Sequence, residues 1–153
     1  MRQLTTPDFD KLTGHITNFK GAWPYDRLPK RLTQPYSVVL NTDDHTKPGE
    51  HWVCVYVDAN QIFFGDSFGR HPSDLSFPRR FSMLLRRLTR GRRLIFNDRL
   101  IQDLTSQACG LYCLYMLDCL ALNKSKRNIF AVFDKDLVKN DRFVLKYYKH
   151  NFA

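Results

Sequence analysis

Two neighbouring runs, His51–Asp58 (HWVCVYVD) and Gln61–Ser67 (QIFFGDS), decide the fold. The first is apolar on both faces and rich in β-branched and aromatic residues, the pattern of a strand buried on both sides. A short turn around Ala59 and Asn60 leads into the second, so the pair reads as a β-hairpin. Its register can be computed. If the turn centres between Asp58 and Ala59, paired residue numbers sum to 117 and His51 stands opposite Asp66. If it centres on Ala59, the alignment moves by one residue and the acid stays near. Directly opposed residues have Cβ atoms ~4.5–5.5 Å apart, close enough for a carboxylate to accept the imidazole N–H and fix its tautomer. That is the work of the third member of a catalytic triad. The rival acid, Asp58, lies at the turn, far from His51 along the strand.

Upstream of the hairpin, residues 19–35 hold three prolines and several aromatics and predict an irregular but packed segment. Tyr36–Leu40 reads as a short strand and Asn41–Glu50 as a polar loop. Downstream, Phe81, Leu84, Leu85 and Leu88 recur at helical spacing within Pro78–Arg90, and Gly91 is a natural stop. Leu94–Phe96 is a candidate strand, and 97–107 is mostly loop. Cys109–Leu122 (CGLYCLYMLDCLAL) is apolar all round except for Asp118, which describes a helix at the centre of a domain. A basic amphipathic stretch follows at Asp141–His150. The mixed order of elements gives an α+β class: a central mixed sheet flanked by helices, one of them buried and carrying Cys109.

The 153 residues fit one domain spanning 1–153 without any linker or repeat. With 43% hydrophobic and 14% aromatic residues the chain is a packed globule, not a disordered one. No apolar run approaches the ~20 residues of a transmembrane helix, and MRQLTTPDFD lacks a signal-peptide core, so a soluble, non-secreted, monomeric protein is expected. The four cysteines, 54, 109, 113 and 119, read as free thiols, and no CxxC spacing supports a metal site.

Cys109 opens the buried helix and is followed by Gly110. A helix N-terminus presents unpaired N–H groups and a partial positive charge, which favour thiolate over thiol. The glycine lets substrate approach the backbone. Cys113 and Cys119, deeper in the helix, read as core residues. In the preceding loop, Gln102 or Gln107 could donate to a developing oxyanion beside the Cys109 N–H, and spacing does not choose between them.

The order His, acid, Gln, Cys resembles the adenovirus-type cysteine proteases (adenain), relatives of the ubiquitin-like-protein proteases. The stretches 41–58 (NTDDHTKPGEHWVCVYVD), 62–69 (IFFGDSFG) and 102–117 (QDLTSQACGLYCLYML) carry the resemblance. They are also similar to blocks in the proteases of Polinton/Maverick elements and adintoviruses. The stretch 21–32 (GAWPYDRLPKRL) is similar to their N-terminal substrate-binding segment.

The resemblance implies Cys109 as nucleophile, His51 as general base and acid, Asp66 as orienting carboxylate and Gln102, over Gln107, as oxyanion donor. It places Trp52 beside the active site, where with Gly110 it would meet substrate. Adenovirus enzymes often carry Glu where this chain has Asp66. Their activating peptide is tethered through a cysteine between the acid and the glutamine, and this chain has none between Cys54 and Cys109.

The formal charge is +9, and seven arginines, Arg79, Arg80, Arg86, Arg87, Arg90, Arg92 and Arg93, fall in fifteen residues with no acid between them. Such a cluster predicts contact with a polyanion, nucleic acid above all. The resemblance adds DNA as an activator, precursor proteins of a virus or virus-like element as substrates, cleavage after small residues such as Gly, and a place in the virion and host nucleus. The chemistry itself needs no cofactor. Two other readings stand beside this one: a ubiquitin-like-modifier isopeptidase using the same residues, and an inactive nucleic-acid-binding structural protein on a protease-like core.

Overall fold

A computed structural model describes residues 2–152. Met1 and Ala153 of the expected 1–153 span lie outside the described residues. The elements run α1 (Thr6–Leu12), β1 (Phe19–Pro24), a 3₁₀ turn (Tyr25–Arg27), β2 (Tyr36–Asn41), β3 (Trp52–Val57), β4 (Gln61–Gly65), α2 (Arg79–Thr89), β5 (Arg93–Phe96), α3 (Cys109–Ala121), α4 (Lys126–Phe130) and α5 (Leu137–Phe152). The five strands form one mixed sheet in chain order. Its two central ladders, β2–β3 and β3–β4, are antiparallel, while β1 joins β2 and β5 joins β4 in parallel. The α+β expectation holds.

Strand alternation builds two apolar layers. Val53, Val55, Val57, Ile62 and Phe64 point to one face, where Phe81 and Leu85 of α2 cover them. Val39, Trp52, Cys54 and Phe63 point to the other, where α3 lies with α1 and Val144 of α5. The hairpin is thus buried on both sides, as its sequence requires. Helix α2 buries the expected Phe81 and Leu85, with Leu84 and Leu88 partly covered. Helix α3 is enclosed on all sides, and its one acid is matched: Asp118 Oδ1 lies 2.6 Å from His15 Nε2, and Oδ2 accepts the Tyr147 hydroxyl at 2.6 Å. Among the described residues no helix is long and apolar enough to cross a membrane.

Two expectations need correction. The segment read as irregular contains β1, which carries no period-2 signal because it lies at the sheet edge and pairs in parallel around a register shift. The hairpin register also differs. Cys54 pairs with Gly65 and Val57 with Ile62, so paired numbers sum to 119. The cause is the turn. Asp58 Oδ1 accepts the N–H groups of Asn60 and Gln61, and the Asp58 N–H donates to the Gln61 carbonyl at 3.0 Å, which leaves Ala59 and Asn60 as the two-residue tip.

Candidate active site

The register puts Phe68, not Asp66, across from His51. The two rings stack with centroids 4.5 Å apart and planes inclined by 10°. Asp66, two residues back, reaches His51 on the diagonal, and the intended contact forms nonetheless: His51 Nε2 and Asp66 Oδ1 are 2.6 Å apart. Both residues sit just past the ends of the central strands, β3 and β4, which fixes their backbones while leaving their side chains at the sheet end. His51 is 5% exposed and Asp66 fully buried.

A carboxylate without water must be met by donors. Asp66 has four: His51 Nε2 and the Phe68 N–H (3.1 Å) on Oδ1, and Arg70 Nε (2.7 Å) and N–H (3.3 Å) on Oδ2. Burial pushes its pKa up, but the bonds and charges of His51 and Arg70 outweigh that and hold it below the usual carboxylate range. The same balance acts on His51. Burial disfavours its charged form, yet hydrogen bonding to Asp66 and Cys109 and attraction to both push its pKa up to about 9. His51 and Cys109 line the same cleft, and with Nε2 on the acid, Nδ1 is the ring nitrogen left to serve the thiol.

Cys109 is the first residue of α3, and Ala108 before it offers no side-chain cap. The Ala108 carbonyl accepts the N–H groups of Leu111 (2.9 Å) and Tyr112 (3.2 Å), which leaves those of Cys109 and Gly110 without a partner in the helix. Of the other thiols, Cys113 lies one turn deeper, where burial first and then Cys54 push its pKa well up. Both thiols are buried, and Cys109 also lines the cleft with His51.

The loop carrying the glutamines is laced to the residue after the acid. The Ser67 carbonyl accepts the N–H groups of Ile101 (3.0 Å) and Gln102 (3.2 Å), and the Ser67 hydroxyl donates to Gln102 Oε1. Fixing the amide oxygen this way turns Nε2 toward Ser106, where it donates to the carbonyl (3.1 Å) and hydroxyl (3.2 Å). Gln102 is 1% exposed, whereas Gln107 is exposed at the rim. Both line a cleft of about 420 Å³ with His51, Cys109, Phe68, Arg70 and Phe77.

Trp52 and Gly110 behave otherwise than expected of surfaces that meet substrate. The Trp52 indole N–H donates to the Leu4 carbonyl at 2.7 Å and its ring meets Phe9 edge-on, leaving it 6% exposed. At Gly110 an added Cβ would come within 3.0 Å of the Leu4 side chain. The close approach this glycine allows is used by the chain's own N-terminal segment. No sequence signal pointed to Leu4, because a lone leucine has no period.

The arginines do not form one surface either. Arg79, Arg86 and Arg90 line a broad groove of about 980 Å³ with Leu75 and Met83, and Phe77 is shared between this groove and the cleft. Arg92 instead donates to the carbonyls of Asp58 (2.7 Å) and Leu88 (2.8 Å), tying α2 to the hairpin turn. Arg93 begins β5, and Arg80 and Arg87 are exposed on α2 outside the groove.

Over 104 residues the chain is 29% identical to a protein of Acanthamoeba polyphaga mimivirus named as a thiol protease, a match covering 63% of this chain and 34% of that one. The ASFV protease shares its fold: two crystal structures match with TM-score 0.52 at 23% identity, over 80% and 81% of this chain and 46% and 45% of theirs. The chain thus spans about a third of the curated relative's length and under half of the solved structures. A family profile described as adenovirus endoprotease matches residues 27–142, a span that takes in His51, Asp66, Gln102 and Cys109, and on that match the chain belongs to the adenovirus endoprotease family.

Proposed function

We propose that the protein is a cysteine endopeptidase in which His51, oriented by Asp66, takes the proton of Cys109. The thiolate attacks a peptide carbonyl, and the tetrahedral oxyanion is held by the Cys109 N–H and by the Gln102 side-chain amide, which exchanges a bond to Ser106 for one to the oxyanion. The imidazolium gives its proton to the departing amine as the acyl-enzyme forms. Water, activated by His51, then releases the acid and restores the thiol. The observation that carries this reading is the buried imidazole of His51, held by Asp66 at 2.6 Å and lining one cleft with Cys109. By the family resemblance the substrates are precursor proteins of a virus or infected cell, cut after small residues such as Gly.

Replacing Cys109 by Ala is expected to abolish cleavage of a fluorogenic peptide with Gly-Gly before the leaving group. His51→Ala should lower it by roughly 10³-fold or more, and Cys113→Ala should leave it intact. Equal loss in the Cys113 variant would remove Cys109 from its role. Labelling by a full-length ubiquitin-like probe, with no peptide cleavage, would instead favour an isopeptidase.

A further inference from the structure

The acid of the proposed triad has a second oxygen, and what holds it is a residue no motif singled out. Asp66 Oδ1 faces His51, whereas Oδ2 takes two donors from Arg70. A buried carboxylate with an empty second oxygen could rotate or take up a proton, and either would spoil its hold on the imidazole.

Arg70 is itself fixed from the far side. Its Nη1 donates to the Ser76 hydroxyl at 3.1 Å, and Ser76 is pinned by Asp74, which accepts its N–H (2.9 Å) and hydroxyl (2.7 Å). The guanidinium lies 4.0 Å over the Phe77 ring and 5.7 Å from that of Phe68. The backbone is shaped to deliver it. Gly69 donates to the Asp66 carbonyl at 2.8 Å with φ +75°, and an added Cβ would sit 2.3 Å from the Arg99 backbone. Only glycine turns the chain there, and the turn brings Arg70 back onto the acid four residues before it.

We infer that Arg70 is a positioning residue of this active site, which locks the Asp66 carboxylate in the orientation that serves His51 and supplies a fixed positive charge behind the His51–Cys109 pair. The inference rests on the cysteine-protease reading above. Its electrostatic consequence has a definite sign. The charged or titratable groups around the pair are Asp66, Arg70 and Asp74 near the end of β4, Cys109 and Cys113 of α3, Cys54 of β3 and Glu50 ahead of β3. Arg70 is the one fixed cation among them. Removing it favours the protonated form of His51, whose charge then persists to higher pH, and withdraws a positive charge from behind the thiolate.

The test compares Arg70→Gln, Arg70→Lys and Ser76→Ala with the unsubstituted protein. Two readouts are used: cleavage of the Gly-Gly peptide, and the pH at which iodoacetamide begins to alkylate Cys109, read by mass spectrometry. Arg70→Gln is expected to lose roughly tenfold in kcat, the factor one charge-assisted hydrogen bond carries. Its KM should stay within about twofold, and its alkylation onset should move up. Arg70→Lys keeps the charge without the planar fork, so the onset should return while kcat recovers only in part. Ser76→Ala loosens the outer anchor alone and should cost about two- to threefold in kcat.

An Arg70→Gln protein with unchanged kcat and unchanged onset overturns the inference. A loss confined to KM does so too, because it would put Arg70 on the substrate. If Arg70→Gln fails to fold, the other two variants decide, and full kcat in both overturns the inference. The underlying reading fails separately, by undiminished turnover in Cys109→Ala.

Discussion

Helices α2 and α3 cover opposite faces of one sheet and obey opposite rules. Helix α2 is amphipathic: Phe81 and Leu85 go into the core, and five arginines of Arg79–Arg90 stay in solvent. Helix α3 is apolar except for Asp118, with ten of its thirteen residues buried. The acid-free arginine cluster thus lies on one layer and the proposed nucleophile on the other. A helix inside the core holds its first residue rigidly, and its N-terminal N–H groups act in a dry setting where their field is less screened. A half-exposed helix holds nothing so firmly but can present charge to a partner.

A methionine on each helix gives the sharpest contrast. Met116 of α3 is fully buried, whereas Met83 of α2 is 59% exposed. Met116→Ala is expected to lower the unfolding free energy by about 2–5 kcal/mol, and Met83→Ala by less than about 0.5 kcal/mol. Similar losses in denaturant titrations would erase the distinction between the two layers.

The α3 side should also carry the pH dependence. His51 rises from 6.5 to about 9 on folding, so the stability it contributes is complete below pH 6.5 and is lost as pH climbs toward about 9. Melting midpoints should fall across that window, and His51→Gln should flatten the fall. An unchanged slope in the variant would mean another group titrates there.

The nucleic-acid contact expected of the arginine cluster is tested at the α2 groove. Arg86→Gln with Arg90→Gln should weaken binding to a DNA duplex and reduce the salt slope by about 2, whereas Cys109→Ala should leave binding unaltered. Equal slopes in all three proteins would remove the groove from consideration. The smallest effect is expected at Ser37, whose hydroxyl is buried without a hydrogen-bond partner. Ser37→Ala should leave stability unchanged or raise it by up to about 1 kcal/mol, and a marked loss of melting temperature would show that the hydroxyl is satisfied in solution.

Much of this was legible in the residues. Unbroken β-branched and aromatic runs announced the central strands, helical spacing announced α2, and the apolar run after Cys109 announced α3. What escaped detection was set by single side chains reaching across the fold. The hairpin register depends on Asp58 folding back on its own turn, which shifted the pairing by two from the simplest count. The acid nevertheless found its histidine, because a diagonal neighbour on the same face is still in reach. Strand β1 lacked alternation, and Leu4 and Arg70 are isolated residues whose partners lie far off in sequence or behind a glycine turn. Periodicity cannot flag such residues. The arginine cluster was visible as a count, but its division into groove, turn anchor and strand required the coordinates.

An exposed hairpin tip is ordinarily where a chain best accepts extra residues. The Ala59–Asn60 tip is an exception, although it lies at the opposite end of the hairpin from the cleft. It works as a length gauge: the distance from His51 to its acid is counted out from there. One residue inserted there and taken up by the ladder instead of the loop would reverse the faces of the strand that slipped, sending core side chains to the wrong layer. Two would restore the faces but slide His51 along the ladder away from Asp66. Changes of length close to the cleft, in the polar loop 43–50, leave that count untouched.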